Sequence, residues 1–430
     1  LRVENRLTRQ DLLTVNASSF GVLVAGLLNT LLLPKMALHS IGVENYGLYA
    51  LLLGACLIPT VFDFGLMPGL TREIGSLYAQ GRVWAARGVT RRVQTVVGGL
   101  GAVAVLCTAV LVAVPSVPRS SVALSVVMGG GANVIVMITE IGLLRVRVMG
   151  KIATANLYRG LYLATYLACT GLFFASDRLT MVTLFLAQFM GSVVYLWLGI
   201  SSERYVQAER ESGERARATE WRRLFRSAFP EQIGRAQSAL LPGVERAMML
   251  GAAGTASVAS YDIAVRLSAI VTALPAALSE PMVALLSPRM GGKSAAERLL
   301  ILRHGSQANH LLAFVTLGVG LMAACIWAIP YYGIAEMPFL VFVFTIMVGS
   351  ACNVLTAPYV GALYAIGRSD VLIAKSLGDL FVAVGGLCVL AVSSSVTAYV
   401  LVRYMGYVPT AGGLLLYWFV KRRALMGGAG

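Results

Sequence analysis

Five arginines stand inside apolar stretches of this sequence: Arg159, Arg235, Arg246, Arg266 and Arg403. An arginine at the centre of a lipid-exposed helix costs about 2.5–3.5 kcal/mol on insertion scales. Five facing lipid would cost on the order of 12–17 kcal/mol, as much as the stability of a whole domain. They must snorkel, pair or face water. Arg159 lies one turn from a helix end and can snorkel; Arg403 lies about two turns from the outer surface. Around Arg246 and Arg266 the spacing itself carries chemistry. Glu231, Arg235, Ser238, Pro242 and the adjacent pair Glu245 and Arg246 follow one another every three or four residues, a polar stripe on an otherwise apolar helix. Asp262, Arg266, Ala269, Ala273, Ala276 and Glu280 follow the same spacing, with Asp262 and Arg266 an i,i+4 pair. Two arrangements fit such stripes: a wetted cavity between two halves of the chain, or a closed salt-bridge network that locks neighbouring helices. The number of charges exceeds what one lock needs and favours the cavity.

Two further carboxylates sit in apolar surroundings, Asp63 in VFDFG and Asp379 after Gly378. A buried carboxylate either carries a proton or neutralises an arginine of another helix, and the residues do not separate the two; for Asp63 pairing is favoured. In the first apolar stretch Asn16, Ser19, Gly26 and Thr30 share a face without any charge.

The elements that position these groups follow from composition. The chain is 57% hydrophobic and 13% charged, with mean hydropathy +0.76. An average soluble domain is about 45–50% apolar and about 25% charged, so a soluble enzyme, a disordered protein and a secreted disulfide scaffold are excluded. Twelve stretches of roughly bilayer length are read at 12–34, 46–68, 93–114, 121–143, 155–175, 179–200, 229–251, 257–282, 305–328, 338–362, 371–392 and 396–420. The expected fold is all-α: a polytopic integral membrane protein of about 12 transmembrane helices in two six-helix lobes around a central cavity. The expected lobes are residues 1–200 and 229–430, joined by a cytoplasmic linker at 201–228, which is rich in Arg and Glu and reads as a surface helix.

The net charge of +15 first raises nucleic acid as a partner. Its distribution removes that reading: with the N-terminus cytoplasmic, 27 of the 35 Lys and Arg fall in inner segments, as the positive-inside rule requires. The outer segments hold only Lys35, Arg119 and Arg178. Both termini are thereby expected in the cytoplasm. The segment 71–92 places Leu77, Trp84 and Val89 among arginines, as an interfacial amphipathic helix or a solvated connector would. The first apolar stretch has a basic flank and no cleavage-like site, so it reads as a retained helix and not a signal peptide. The chain starts at Leu1 where a Met is usual, which suggests missing residues or a non-standard start.

Other motifs fail on their chemistry. GGKS at 291–294 copies the tail of a phosphate-binding loop, yet Ser287 stands where that loop needs Gly and a membrane helix precedes it. His39, His304 and His310 are too scattered for a metal site or a catalytic dyad. The six cysteines lie far apart inside spans and read as packing residues. No catalytic residue, metal site or cofactor is expected, and no extracytoplasmic domain is left over for glycan chemistry.

Two blocks carry a family resemblance. Residues 46–82, YGLYALLLGACLIPTVFDFGLMPGLTREIGSLYAQGR, resemble the second helix and following loop of bacterial polysaccharide-repeat-unit flippases of the Wzx type. Residues 244–290, VERAMMLGAAGTASVASYDIAVRLSAIVTALPAALSEPMVALLSPRM, resemble the same family's helices seven and eight, with an acidic–basic pair, a small-residue turn, an aromatic and A-x-R-L. The resemblance implies the multidrug/oligosaccharidyl-lipid/polysaccharide exporter fold, two six-helix lobes around a cavity that opens alternately to either side. It implies a multi-pass protein of the bacterial inner membrane that flips undecaprenyl-diphosphate-linked oligosaccharide for surface polysaccharide (O-antigen or exopolysaccharide) biosynthesis. The implied partners are that lipid-linked cargo, membrane lipid, and glycan polymerase and glycosyltransferases. Lipid II flippases carry arginines in the first helices, where this chain has Asn and Ser, so lipid II fits less well. Under this reading Arg246 and Arg266 hold the diphosphate, Arg235 and Arg403 assist, and Asp262, Glu245, Asp63 and Asp379 tune charge or carry a coupling proton. The alternatives are a multidrug/cation antiporter of the same fold and, less favoured, a membrane enzyme of glycan assembly.

Overall fold

A computed structural model describes residues 9–427, apart from 64–65, 114–118, 150, 207–217, 287–294, 329–331, 333–336 and 366–368. The GGKS motif and the centre of the expected linker lie outside the described residues. The described chain is helical throughout: α1 Arg9–Ala55, α2 Leu66–Ala79, α3 Val83–Ala113, α4 Arg119–Val148, α5 Ile152–Ala175, α6 Met181–Val206, α7 Ala218–Leu286, α8 Ala295–Ala323, α9 Met337–Leu355, α10 Ala357–Ala365, α11 Ser369–Ser393, α12 Val396–Met405 and α13 Tyr407–Gly427. Eight stretches among the described residues are long and apolar enough to cross a membrane. Two of them, Ala17–Phe62 and Ala236–Ala273, are interrupted within a long helix. The protein is a polytopic, all-helical membrane protein.

The interruptions are at glycines. Gly42 has φ 76° and ψ 170° inside α1, and Gly254 has φ 80° and ψ 178° inside α7. That region of backbone space is essentially reserved for glycine. In α7 the consequence is a fold-back: Tyr261 meets Glu245 and Arg246 meets Asp262, two pairs centred on residues 253–254. So α7 is a helical hairpin whose arms correspond to the expected spans 229–251 and 257–282. The expected second span, 46–68, is less regular. Helix α1 stops at Ala55, a 3₁₀ turn follows at Ile58–Asp63, and α2 begins at Leu66. The carbonyl of Cys56, left without a helical partner at that stop, accepts from Asn133 Nδ2 at 2.7 Å.

The chain divides into two compact units. Unit 1 comprises Leu1–Asn29 and Ala55–Phe229; unit 2 comprises Thr30–Gly54 and Pro230–Gly430. The expected lobe 1–200 therefore loses Thr30–Gly54, which packs with the C-terminal half. In unit 1, α4 packs on α3 and α6, and α5 on α6. Gly129 has no side chain because a Cβ there would lie 2.5 Å from the Phe185 ring and 2.7 Å from Cys56 Sγ. The apolar face of α2 (Leu66, Leu70, Ile74, Leu77) is buried with Ala86, Val89, Val93 and Ile141. The segment 71–92 is thus part of the unit's core, neither an interfacial helix nor a solvated connector, because its apolar positions find partners on α3 and α4. Among the cysteines Cys56 is buried, whereas Cys107, Cys325 and Cys388 are exposed, so only part of the set packs as expected.

The outward faces are apolar. Val96, Leu100, Val103, Leu106 and Val110 of α3 form a stripe at helical spacing, from 39% to 65% exposed. Such a continuous apolar stripe on a soluble surface would aggregate; on a membrane helix it meets lipid. Gly254→Ala isolates the backbone cost of the α7 fold-back, since a Cβ there meets nothing within 4 Å. We expect it to destabilise the protein by about 1–3 kcal/mol, read as a lower thermal-unfolding midpoint in detergent. Gly251→Ala, helical and equally unobstructed, should be neutral or stabilising.

Candidate functional site

The charged residues of the α7 hairpin converge within unit 2 on two carboxylates. Asp262, 1% exposed, accepts three charge-assisted or hydroxyl hydrogen bonds. Arg246 Nη2 donates to its Oδ1 at 2.6 Å, and Arg266 Nε donates to Oδ2 at 2.7 Å. The Tyr46 hydroxyl donates to the same Oδ2 at 2.7 Å. Arg246 and Asp262 come together because Gly254 folds the hairpin; Arg266 lies one turn beyond Asp262, as the i,i+4 spacing requires. Arg246 Nη1 also caps the Pro242 carbonyl at 3.0 Å.

Tyr46 arrives from the Thr30–Gly54 segment, and glycines let it come so close. A Cβ on Gly47 would overlap the Thr255 carbonyl, and one on Gly54 would lie 2.9 Å from Gly243 Cα. Backbone therefore packs on backbone at two points just after Tyr46 in the chain, as small residues permit in membrane helices. The Tyr332 hydroxyl, donating to the Leu31 carbonyl at 2.9 Å, adds a third tie to the segment.

The second carboxylate is Glu245. Arg403 Nε donates to its Oε1 at 2.9 Å, and the Tyr261 hydroxyl donates to Oε2 at 2.9 Å. Tyr261 and Tyr404 hydroxyls lie 3.1 Å apart. The Arg403 guanidinium also lies over the rings of Tyr404 and Tyr407, at 5.6 and 4.8 Å from their centroids, where the ring quadrupoles favour a cation. Glu245, Arg246 and Arg403 are 5%, 7% and 7% exposed. Two donors in this cluster are buried without a hydrogen-bond partner among the described residues, Arg246 Nε and Arg403 Nη1.

The structure thus brings together five of the eight residues singled out in the sequence: Arg246, Arg266, Arg403, Asp262 and Glu245. Asp379 pairs one helical turn away with Lys375 at 2.7 Å and lies near Tyr407, the ring that Arg403 covers. The side chains of Arg235 and Asp63 lie outside the described residues. Arg159 is exposed in unit 1. Sequence reasoning missed the tyrosines that complete both carboxylate shells, although Tyr46 opens one of the two family-like blocks and Tyr261 directly precedes Asp262. It also missed a unit 1 cluster in which Glu140 binds Arg147 at 2.7 Å and accepts from Tyr195 at 2.6 Å. Among the described residues, no three His, Cys, Asp or Glu side chains are grouped to hold a metal ion.

No protein-family model matches the chain, and no curated protein matches it by sequence. Solved structures do match its fold over nearly the full length. The MATE multidrug transporter DinF-BH aligns with TM-score 0.72 at 11% identity, covering 99% of this chain and 98% of that one. A MATE transporter from Vibrio cholerae, VcmN, aligns with TM-score 0.69 at 12% identity, covering 97% and 100%. A MOP superfamily transporter from Pyrococcus furiosus, described by a binding pocket of reverse polarity that suggests a different function, aligns with TM-score 0.67 at 12% identity, covering 97% and 99%. The chain has the fold these transporters share.

Asp262 carries two guanidiniums, so its neutralisation should be costly. Asp262→Asn leaves Arg246 and Arg266 without their shared counter-charge, and we expect a loss of about 3–5 kcal/mol in thermal unfolding of the purified protein. Adding Arg266→Met to that variant should restore at least half of the loss.

Proposed function

We propose that this chain is a membrane transporter that works by alternating access. The observation that carries this reading is the fold: the chain aligns end to end with MATE transporters at TM-scores up to 0.72. It follows that the protein would expose its binding groups to one side of the membrane and then the other, and would do no covalent chemistry on its cargo.

On cargo, the likeness supports the multidrug/cation antiporter reading over lipid-linked oligosaccharide flipping, because the matched structures include several multidrug transporters. The tyrosines around the charged cluster add apolar faces that suit an aromatic cation. One specific observation favours the second reading, in which the cargo is the undecaprenyl-diphosphate-linked oligosaccharide of surface polysaccharide assembly. Among the described residues, the cluster of unit 2 sets three guanidiniums against two carboxylates, and two of the arginines keep an unpartnered donor. An excess of one positive charge with spare donors suits an anionic phosphate group. It does not suit a cation. The Pyrococcus furiosus structure, with its pocket of reverse polarity, is a case in which the fold is associated with a change of pocket sign. In the flippase reading Arg246 and Arg266 hold the diphosphate with help from Arg403 and Arg235. Asp262 and Glu245 keep the arginines partly satisfied when the cargo leaves. The inner-membrane location and the glycan polymerase and glycosyltransferase partners belong to this reading.

A deletion strain separates the readings. Accumulated polyprenyl-diphosphate oligosaccharide in its lipid extract supports the flippase, hypersensitivity to cationic dyes supports the antiporter, and no change in either overturns the transport reading. Arg246→Gln is the matching point variant, since Asp262 keeps Arg266 and the cluster becomes formally neutral. At unchanged protein level we expect a loss of at least about tenfold in glycan export, the worth of one charge-assisted hydrogen bond to phosphate, with dye efflux retained if the cargo is cationic.

A further inference from the structure

Helix α11 carries Lys375 and Asp379 one turn apart within the apolar stretch Asp370–Ser393. The Lys375 ammonium donates to Asp379 Oδ2 at 2.7 Å and to Asn353 Oδ1 on α9 at 3.0 Å. Two oxygens from two helices thus converge on one nitrogen. The remaining carboxylate oxygen, Asp379 Oδ1, is buried without a hydrogen-bond partner among the described residues, and Asp379 as a whole is 8% exposed. Asn353 is exposed, so the group is closed on the carboxylate side and reachable from the amide side.

An ordinary i,i+4 pair on a helix surface uses one carboxylate oxygen and needs no third residue. Here an amide on a neighbouring helix turns its oxygen toward the same cation, and a spare carboxylate oxygen lies beside it. A hard monovalent cation takes oxygen ligands of this kind, carboxylate and amide, and completes its shell with water where the site is open. The Lys375 ammonium spends two of its three N–H groups on these oxygens, and Asp379 Oδ1 is left unused.

We propose that Asp379 and Asn353 form a seat for a monovalent cation and that the Lys375 ammonium, tethered to the chain, occupies it. The wild-type protein accordingly needs no mobile ion there. Removing the tether opens the seat to Na⁺. The proposal goes beyond the transport reading and is independent of the cargo, because its test reads ion binding and not transport.

The test compares thermal unfolding of the full chain, purified in detergent, in sodium chloride and in choline chloride at equal ionic strength. Lys375→Met should gain about 2–4 °C in Na⁺ over choline, the shift that corresponds to roughly 1 kcal/mol of ligand stabilisation. The wild type should unfold at the same temperature in both salts, and so should Lys375→Met combined with Asp379→Asn, which removes both charges. Lys375→Ser, which offers a hydroxyl oxygen in place of the ammonium, is held to the same outcomes should Lys375→Met fail to accumulate. Equal unfolding temperatures for the single variant in the two salts overturn the proposal. So does a Na⁺ shift that the wild type or the double variant shares.

Discussion

A carboxylate held between two guanidiniums inside an apolar helix bundle constrains much of unit 2. Asp262 is almost wholly excluded from solvent, with both oxygens engaged by Arg246, Arg266 and Tyr46. Any one of these charges alone would cost several kcal/mol at membrane depth. Bringing them together requires the two arms of α7 to run side by side, and that requires a residue free to adopt φ 80° at the turn. The glycine and the ion pairs are therefore parts of one solution: the fold-back places the charges, and the charges hold the fold-back.

The same logic reaches a distant part of the chain. Tyr46 supplies the last hydrogen bond to Asp262 from the Thr30–Gly54 segment, which belongs to unit 2 although it follows directly on unit 1 sequence. Its approach depends on Gly47 and Gly54, where a side chain would collide with the backbone at Thr255 and Gly243. A hydroxyl that reaches a shared carboxylate only through close backbone packing reports on whether the segment is docked. Hydrogen bonds to charged groups contribute about 1.5–3 kcal/mol, enough to bias docking without fixing it.

The all-helical, membrane-spanning class was legible in the sequence because hydropathy is summed over many residues. The arms of α7 and the ion pair Asp262–Arg266 were legible for a simpler reason, since helical spacing alone brings residues four apart together. Partnerships across elements were not legible. Nothing in the spacing of Glu245 and Arg403, 158 residues apart, marks them as a pair, and Tyr46 reads as an ordinary aromatic until the glycine packing is seen. The interruption at Gly42 was hidden for a different reason: the chain on either side remains helical, so the expected loop at 35–45 is almost entirely helix. The apolar positions of 71–92 suited a lipid interface and a protein core equally, and the neighbouring faces of α3 and α4 decided for the core.

Stability alone does not account for the buried charges. Replacing a buried ion pair with apolar residues of similar volume is often neutral or stabilising, and a bundle with this much apolar surface could be built that way. A lock would also be best served by equal numbers of cations and anions with every donor used. Among the described residues the cluster has neither property: three guanidiniums share two carboxylates, and Arg246 Nε and Arg403 Nη1 remain without partners. Incomplete satisfaction is a cost that folding does not require, and it leaves donors with unmet capacity at membrane depth. Under the proposed flippase reading, lock and binding site are two uses of the same residues. The carboxylates keep the arginines folded and soluble in the bundle, and the surplus charge is what a phosphate-bearing cargo would meet.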